Sequence, residues 1–356
     1  MIEYKIIGLM SGTSLDGLDI AYVKYSKGFD NQWNFEFINA STFSFPIGLE
    51  KEIRRATQMS VTEILQLDKK IGKTYALFVN QFLKENNIEK QEVDVIASHG
   101  QTIFHQPKNG FTYQIGCGTT IAFLTGINVI NDFRTKDVVA GGQGAPLVPI
   151  GDYKLFRSYA DSFLNIGGFA NVSFEKEETI YAFDICPGNL PLNKLINLKG
   201  LSFDRDGLVA KQGEINFYLL EILNNLSYYS QDYPKSLGTE WLENEFYPLI
   251  KFDNSIEDNL RTILEHEAIQ ISNVLNKENL KSVLITGGGV KNLFLIERIK
   301  KYYQGEVVIP SESIVDFKEA IIFGFLGALY LANEENTISS VTGAEKNVSG
   351  GVLHKP

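Results

Sequence analysis

Cysteine is nearly absent from this chain: Cys117 and Cys186 are the only two in 356 residues. Two thiols do not make a disulfide framework, and they fit a reducing compartment such as the cytoplasm. Histidine is scarce as well. His99, His105, His266 and His354 form neither HExxH nor a Cys/His pair at zinc spacing. No apolar run approaches the length of a membrane span. The opening MIEYKIIGLM goes straight into a strand and carries Glu3, so it is not expected to be a secretory signal. Positive charge is in deficit, with 33 Lys and Arg against 43 Asp and Glu, and the net charge of −10 argues against nucleic acid as the main partner. There is no low-complexity linker. A hydrophobic content of 44% and a charged content of 21% are those of a soluble globular protein, and the length suits two domains.

The chain is organised around GLMSGTSLDGLDIAYV, residues 8–23. Two short apolar runs flank a turn of glycines, hydroxyls and carboxylates, which predicts strand, tight polar turn, strand. Small residues let backbone N–H groups approach an anion, and Asp16 is placed to hold a cation that bridges phosphates. Read alone, the turn is equally an ordinary hairpin. Gly12 and Gly17 have P-loop spacing, but Leu18 and Asp19 stand where Lys and Ser/Thr are required.

A third strand is expected over 33–43 and a long helix over 61–86, where Ile64, Leu65, Leu67, Ile71, Tyr75, Phe78 and Phe82 recur at helical spacing. Strands follow over 93–97, 111–115 and 128–130, with a helix over 118–124. Residues 131–149, NDFRTKDVVAGGQGAPLVP, read as a crossing segment rather than an element because of their Gly and Pro content, and a domain boundary is placed there. The second half then repeats the opening: strands over 161–166, 169–174 and 179–183, with Gly167 and Gly168 in the first turn. Two such meanders are an internal repeat at domain scale. Helical patterns dominate 190–275. A strand over 283–286 leads into Gly287, Gly288 and Gly289, and a helix begins near Asn292. The last long helix is expected over 317–331, with Ala320, Gly324, Gly327 and Ala328 allowing close packing.

Three Gly-rich turns, SGTSLDG, IGGFANVS and ITGGGVKN, each follow an apolar strand, where loops of α/β folds commonly face a ligand. Asp184, in FDICPGN, ends its expected strand and suits a general base; a turn-forming or capping Asp is the structural alternative. Asp132 and Arg134 read as a plain ion pair, or Arg134 grips a substrate carboxylate with its planar fork. His99, in SHGQT, is either a donor to a sugar hydroxyl or a structural histidine. Cys186 has no His near it in sequence to make it a nucleophile. Glu319 falls in the first turn of the expected last helix, where the helix dipole favours an acid.

MSGTSLDGLDIA, ASHGQT, NDFRTKDVVAGGQGAPLVP, NIGGFANVS, FDICPGN, ITGGGVKN and SVTGA occur in the order seen in the anhydro-N-acetylmuramic acid kinases, and the chain resembles that family over essentially its whole length. The resemblance implies an α/β fold of two ribonuclease-H-like, actin-like ATPase domains with a cleft between them. The first would take residues 1–130 plus about 335–356, the second 131–334. It implies ATP and Mg²⁺ as cofactors, a small-molecule sugar substrate, no nucleic acid and no membrane, and it leaves a homodimer open. By motif, Gly12, Thr13, Ser14, Leu15, Asp16, Gly17 and Asp19 would hold ATP phosphates, with Asp16 or Asp19 near the Mg²⁺. Gly167, Gly168 and Asn171 would form the second phosphate loop, and Gly287, Gly288, Gly289 and Asn292 the adenosine site. Asp184 would activate water, and Arg134, Glu319 and His99 would bind the sugar. The reaction implied is opening of a 1,6-anhydro sugar by water with phosphorylation of O6. Alternatives are a kinase for a related anhydrosugar and a nucleotide-binding regulator without turnover. Departures from the family pattern fall at Ile185, Cys186, Asn193 and Thr239, around the sugar side as expected from sequence.

Overall fold

The computed structural model describes residues 2–12, 15, 17–251 and 255–356. The chain divides into two compact units, residues 1–156 with 317–356, and residues 157–316. The boundaries expected at 130/131 and 334/335 both lie inside the first unit.

In the first unit, β1 (Ile2–Met10), β2 (Leu18–Lys27) and β3 (Trp33–Phe43) form an antiparallel meander. Next come β4 (Val95–Ser98), a hairpin of β5 (Gln101–Gln106) and β6 (Phe111–Ile115), and β7 (Val129–Asn131). The main sheet runs β7-β4-β1-β2-β3, with β4 parallel to both β1 and β7, and a C-terminal strand, Val352–His354, closes its edge. Ile6, Ile7 and Leu9 are wholly buried, as befits a central strand covered on both faces. The long helix α1 (Val61–Glu85) begins at a capping box. Glu63 N–H donates to Ser60 Oγ, and Ser60 N–H donates to the Glu63 carboxylate at 2.7 Å. Its buried stripe is Leu67, Ile71, Tyr75, Phe78 and Phe82, five of the residues whose spacing predicts it.

The last long helix, α2 (Glu312–Leu331), lays its small residues against the first unit's sheet. A Cβ on Gly8 would lie 1.9 Å from the Ala320 carbonyl oxygen, and one on Gly327 would lie 2.8 Å from Ala97 Cβ. The helix starts five residues earlier than expected. Glu319 is therefore in its third turn, beyond reach of the helix N-terminus, and the dipole does not account for it.

The second unit has β8 (Ser162–Ile166), β9 (Phe169–Lys176), β10 (Thr179–Pro187), β11 (Ser282–Thr286) and β12 (Glu306–Val308), in sheet order β10-β9-β8-β11-β12. Here too the first three strands are antiparallel and the last two parallel additions. The core is closed by a helix at Ile256–Lys277, whose Ile263, Leu264 and Ile271 are wholly buried.

SHGQT runs into β5. Two local readings change. Residues 131–149 contain a short helix, Thr135–Val139, and Asp132, just before it, accepts a hydrogen bond from Thr135 Oγ1. Strand β10 continues past Asp184 to Pro187 through a bulge between Asp184 and Cys186, so Asp184 lies within the strand.

Candidate active site

In the second unit, pairing register assembles a polar row that no local motif displays. Asp184 stands opposite Asn171, Asn171 opposite Asn165, and Asn165 beside Thr286. Residues paired in this way share a face of the sheet. Four strands thus present a carboxylate, two amides and a hydroxyl in line, at the end of the sheet where β8 and β11 finish. Thr286 is buried, and its hydroxyl has no hydrogen-bond partner among the described residues. Sequence reading named Asp184 and Asn171 and missed Asn165 and Thr286, whose one signal is a polar side chain closing an apolar strand.

Asp184 is half-buried. The Leu237 backbone N–H donates to its Oδ2 at 2.8 Å, and the Tyr228 hydroxyl donates to its backbone carbonyl. Burial raises its carboxyl above the ordinary value, and the Leu237 N–H opposes that rise. Cys186 is fully buried, and burial, with Glu267 and Asp184 nearby, pushes its thiol well up, the reverse of what a nucleophile needs. Ile185 and Cys186 are both core residues. These two departures from the family pattern are therefore part of the second unit's core.

The glycines of the second unit divide by role. A Cβ on Gly289 would lie 2.2 Å from Ile166 Cγ2, and Gly287 has a φ of +84°, so both are required by the fold. Gly288 is exposed, and its Cβ would meet only Asn189 Nδ2, at 3.7 Å. Asn292 caps the helix at Leu293–Tyr302, its Oδ1 accepting from Leu295 N–H at 3.0 Å. In the IGG turn, Gly188 and Asn189 N–H donate to the carbonyls of Gly168 and Gly167, both at 2.9 Å. Those contacts tie the turn, with Gly167 and Gly168, to the segment after Asp184.

In the first unit, Thr13, Ser14 and Asp16 lie outside the described residues. Around them, Ser11 Oγ donates to Gln101 Oε1 at 2.7 Å, and Gln101 Nε2 donates to the Gly12 carbonyl. Gln101, another residue missed from sequence, thereby fastens the β1–β2 turn to the start of β5. A Cβ on Gly17 would lie 2.5 Å from the Phe43 carbonyl oxygen. Leu15 is a core residue with its side chain turned inward. Asp19 belongs to β2, and its Oδ1 accepts from Thr42 Oγ1 at 2.5 Å.

Arg134 does not pair with Asp132. Its Nε and Nη2 both donate to His99 Nε2, at 3.1 and 2.9 Å, and its Nη1 donates to the Gly144 carbonyl at 2.6 Å. Burial lowers Arg134 to about 10 against the pull of Glu319 and Asp137, so it stays charged at neutral pH. Burial, then the Arg134 charge, holds His99 well below its usual range, so the imidazole is neutral and accepts at Nε2. Burial raises Glu319, opposed by Lys318 and Arg134 and assisted by Asp19 and Asp152. Arg134, Glu319 and Asp19 are thus electrostatic neighbours, although three distant segments supply them. Among the described residues no group of three or more His, Cys, Asp or Glu could hold a metal ion.

Two sheets that share the order of their first five strands, each with a Gly-rich turn after its first strand, define an α/β protein of two units built on one repeated pattern. The chain belongs to the anhydro-N-acetylmuramic acid kinase family, whose model matches residues 4–356. An anhydro-N-acetylmuramic acid kinase of Sulfurovum sp. (strain NBC37-1) is 36% identical over 366 residues, covering 99% of each chain. One of Shewanella denitrificans is 38% identical over 370 residues and 98% of each chain. Among solved structures, component A of the (R)-2-hydroxyglutaryl-CoA dehydratase of Acidaminococcus fermentans is similar at a TM-score of 0.45 and 11% identity, over 89% of this chain and 95% of that one. That distance carries no argument about activity.

Proposed function

We infer that this protein is an ATP-dependent kinase acting on 1,6-anhydro-N-acetylmuramic acid. Water opens the anhydro ring at C1 and O6 receives the γ-phosphoryl group, giving N-acetylmuramic acid 6-phosphate and ADP in the recycling of peptidoglycan. The observation that carries the reading is Asp184, a half-buried carboxylate with a raised pKa at the sheet end, in a chain that matches the family from residue 4 to 356.

In this reading Asp184 takes a proton from a water that attacks C1. As the C1–O6 bond breaks, O6 gains negative charge and attacks the γ-phosphorus in line, and ADP leaves. No second base is needed for O6. Phosphoryl transfer then asks mainly for positioning and charge neutralisation. Mg²⁺, held by Asp19 or Asp16 together with phosphate oxygens, would supply the charge neutralisation; one or two carboxylates plus phosphates is the donor set that this ion favours. Gly12 to Asp19 and Gly167 to Asn171 would hold the phosphates. Gly288 would offer an open backbone to the adenosine, between Gly287 and Gly289. Arg134 and Glu319 would hold the sugar, with His99 acting on it through Arg134.

No described helix is long and apolar enough to cross a membrane. Both cysteines are free, in keeping with a reducing cytoplasm. Incubation with ATP, Mg²⁺ and 1,6-anhydro-N-acetylmuramic acid, followed by mass spectrometry, tests the assignment. The expected product is heavier than the substrate by one water and one phosphoryl group. Recovery of unchanged sugar would refute it.

A further inference from the structure

The segment SVTGA, residues 340–344, takes no part in the chemistry above, yet its contacts lead to the sugar side of the first unit. We propose that Asp137 is a positioning residue for Arg134, tying the sugar-binding guanidinium to the C-terminal segment through Gly144 and Thr342; this rests on the reading that Arg134 holds the sugar.

Asp137 is wholly buried in the helix Thr135–Val139. Its two oxygens serve different partners. Oδ2 accepts from the Gly144 backbone N–H at 2.8 Å, and Oδ1 accepts from Thr342 Oγ1 at 2.8 Å. Gly144 in turn offers its carbonyl to Arg134 Nη1 at 2.6 Å. Gly144 has a φ of +67°, and a Cβ there would lie 2.8 Å from Val138 Cγ2. Glycine has more backbone freedom than any other residue, so an anchored N–H restrains where its carbonyl points. Gly142 leaves room for the carboxylate, since a Cβ would lie 2.2 Å from Asp137 Oδ2. Main-chain bonds reinforce the link: Gln143 N–H donates to the Thr342 carbonyl at 2.7 Å, and Glu345 N–H donates to the Ala140 carbonyl at 2.9 Å.

This accounting also bears on what Arg134 can offer a ligand. A guanidinium has five N–H groups. His99 takes one from Nε and one from Nη2, and Gly144 takes one from Nη1. The remaining two, one on each terminal nitrogen, are left for a substrate carboxylate. With His99 and Gly144 both bonded to it, the guanidinium plane is set before the sugar arrives. Asp137 governs the Gly144 edge.

The test is a double-mutant cycle read by calorimetric titration with 1,6-anhydro-N-acetylmuramic acid. Asp137→Asn should weaken sugar binding by about tenfold or more, the scale of a lost charged hydrogen bond, while Mg·ADP binding stays within about twofold of wild type. In an Arg134→Ala background the same change should cost no further sugar affinity, because the two residues act in series. Thr342→Val should follow the same pattern more weakly and Thr342→Ser should restore binding, which keeps the test open if Asp137→Asn does not fold. Equal losses in both backgrounds, or no loss in the wild-type background, would overturn the inference. If Arg134→Ala itself binds sugar normally, the assignment of Arg134 to the sugar is what fails, and the inference falls with it.

Discussion

Leu237 holds Asp184 through its backbone, the N–H lying 2.8 Å from Oδ2. The side chain at 237 is therefore irrelevant to that contact. Thr239, in KSLGTE at residues 235–240, is one of the departures from the family pattern. The contact with the expected base is made by main chain, which tolerates side-chain change in this segment, and Thr239 itself is exposed.

The raised pKa of Asp184 predicts where activity fails in acid. A general base must be ionised, so activity falls as pH drops through its pKa. Burial lifts that pKa above the ordinary 3.8. The acid limb of kcat/KM for the sugar should accordingly lie above the ordinary carboxylate value, and Asp184→Asn should abolish it along with turnover. A pH profile of kcat/KM checks this; a limb at or below the ordinary value would contradict it.

Asp184→Asn should separate binding from chemistry. Asparagine keeps the size and can still accept from the Leu237 N–H, but it takes no proton at neutral pH. Turnover should fall about 100- to 10,000-fold. Mg·ATP should still raise the melting temperature, because a ligand of the native state stabilises it by mass action. Near-normal turnover would move the base elsewhere, first to Glu319.

His99 should not titrate in the working range. It is buried and accepts from Arg134, which keeps it neutral well below its usual value of 6.5. KM for the sugar should show no transition near pH 6.5. A protonation there would break the acceptor that orients Arg134, and KM would rise on the acid side.

The triple glycine should divide under alanine substitution. Gly288→Ala has room for its Cβ, so the protein should fold with a melting temperature near wild type and lose affinity for Mg·ATP. Gly289→Ala drives a methyl into Ile166 and should destabilise by about 1–3 kcal/mol, the usual cost of overpacking. Thermal denaturation with and without Mg·ATP distinguishes the two. Undiminished binding by Gly288→Ala would count against an adenosine site there.

The sheets were legible where side-chain pattern alone decides. β3 spans Trp33–Phe43 as the sequence predicts, and α1 differs from expectation by one residue. The sequence predicts α2 only from residue 317, since Glu312, Ser313 and Asp316 interrupt the apolar pattern; the helix begins at Glu312, which puts Glu319 beyond reach of its N-terminus. Local pattern cannot report pairing register, which is why Asn165 and Thr286 escaped notice beside Asp184 and Asn171. It cannot report backbone contacts across long separations either. Leu237 on Asp184 and Asp137 on Gly144 and Thr342 are both of that kind.

The most direct test of the coupled reaction is isotopic. Wild-type enzyme turns over ATP and 1,6-anhydro-N-acetylmuramic acid in ¹⁸O-labelled water, and the product is fragmented in a mass spectrometer soon after release. Because water attacks carbon and O6 attacks phosphorus, the label should sit at C1 and be absent from the phosphate. Label in the phosphate would mean that water attacks phosphorus, and the account of Asp184 as the base for ring opening would be wrong.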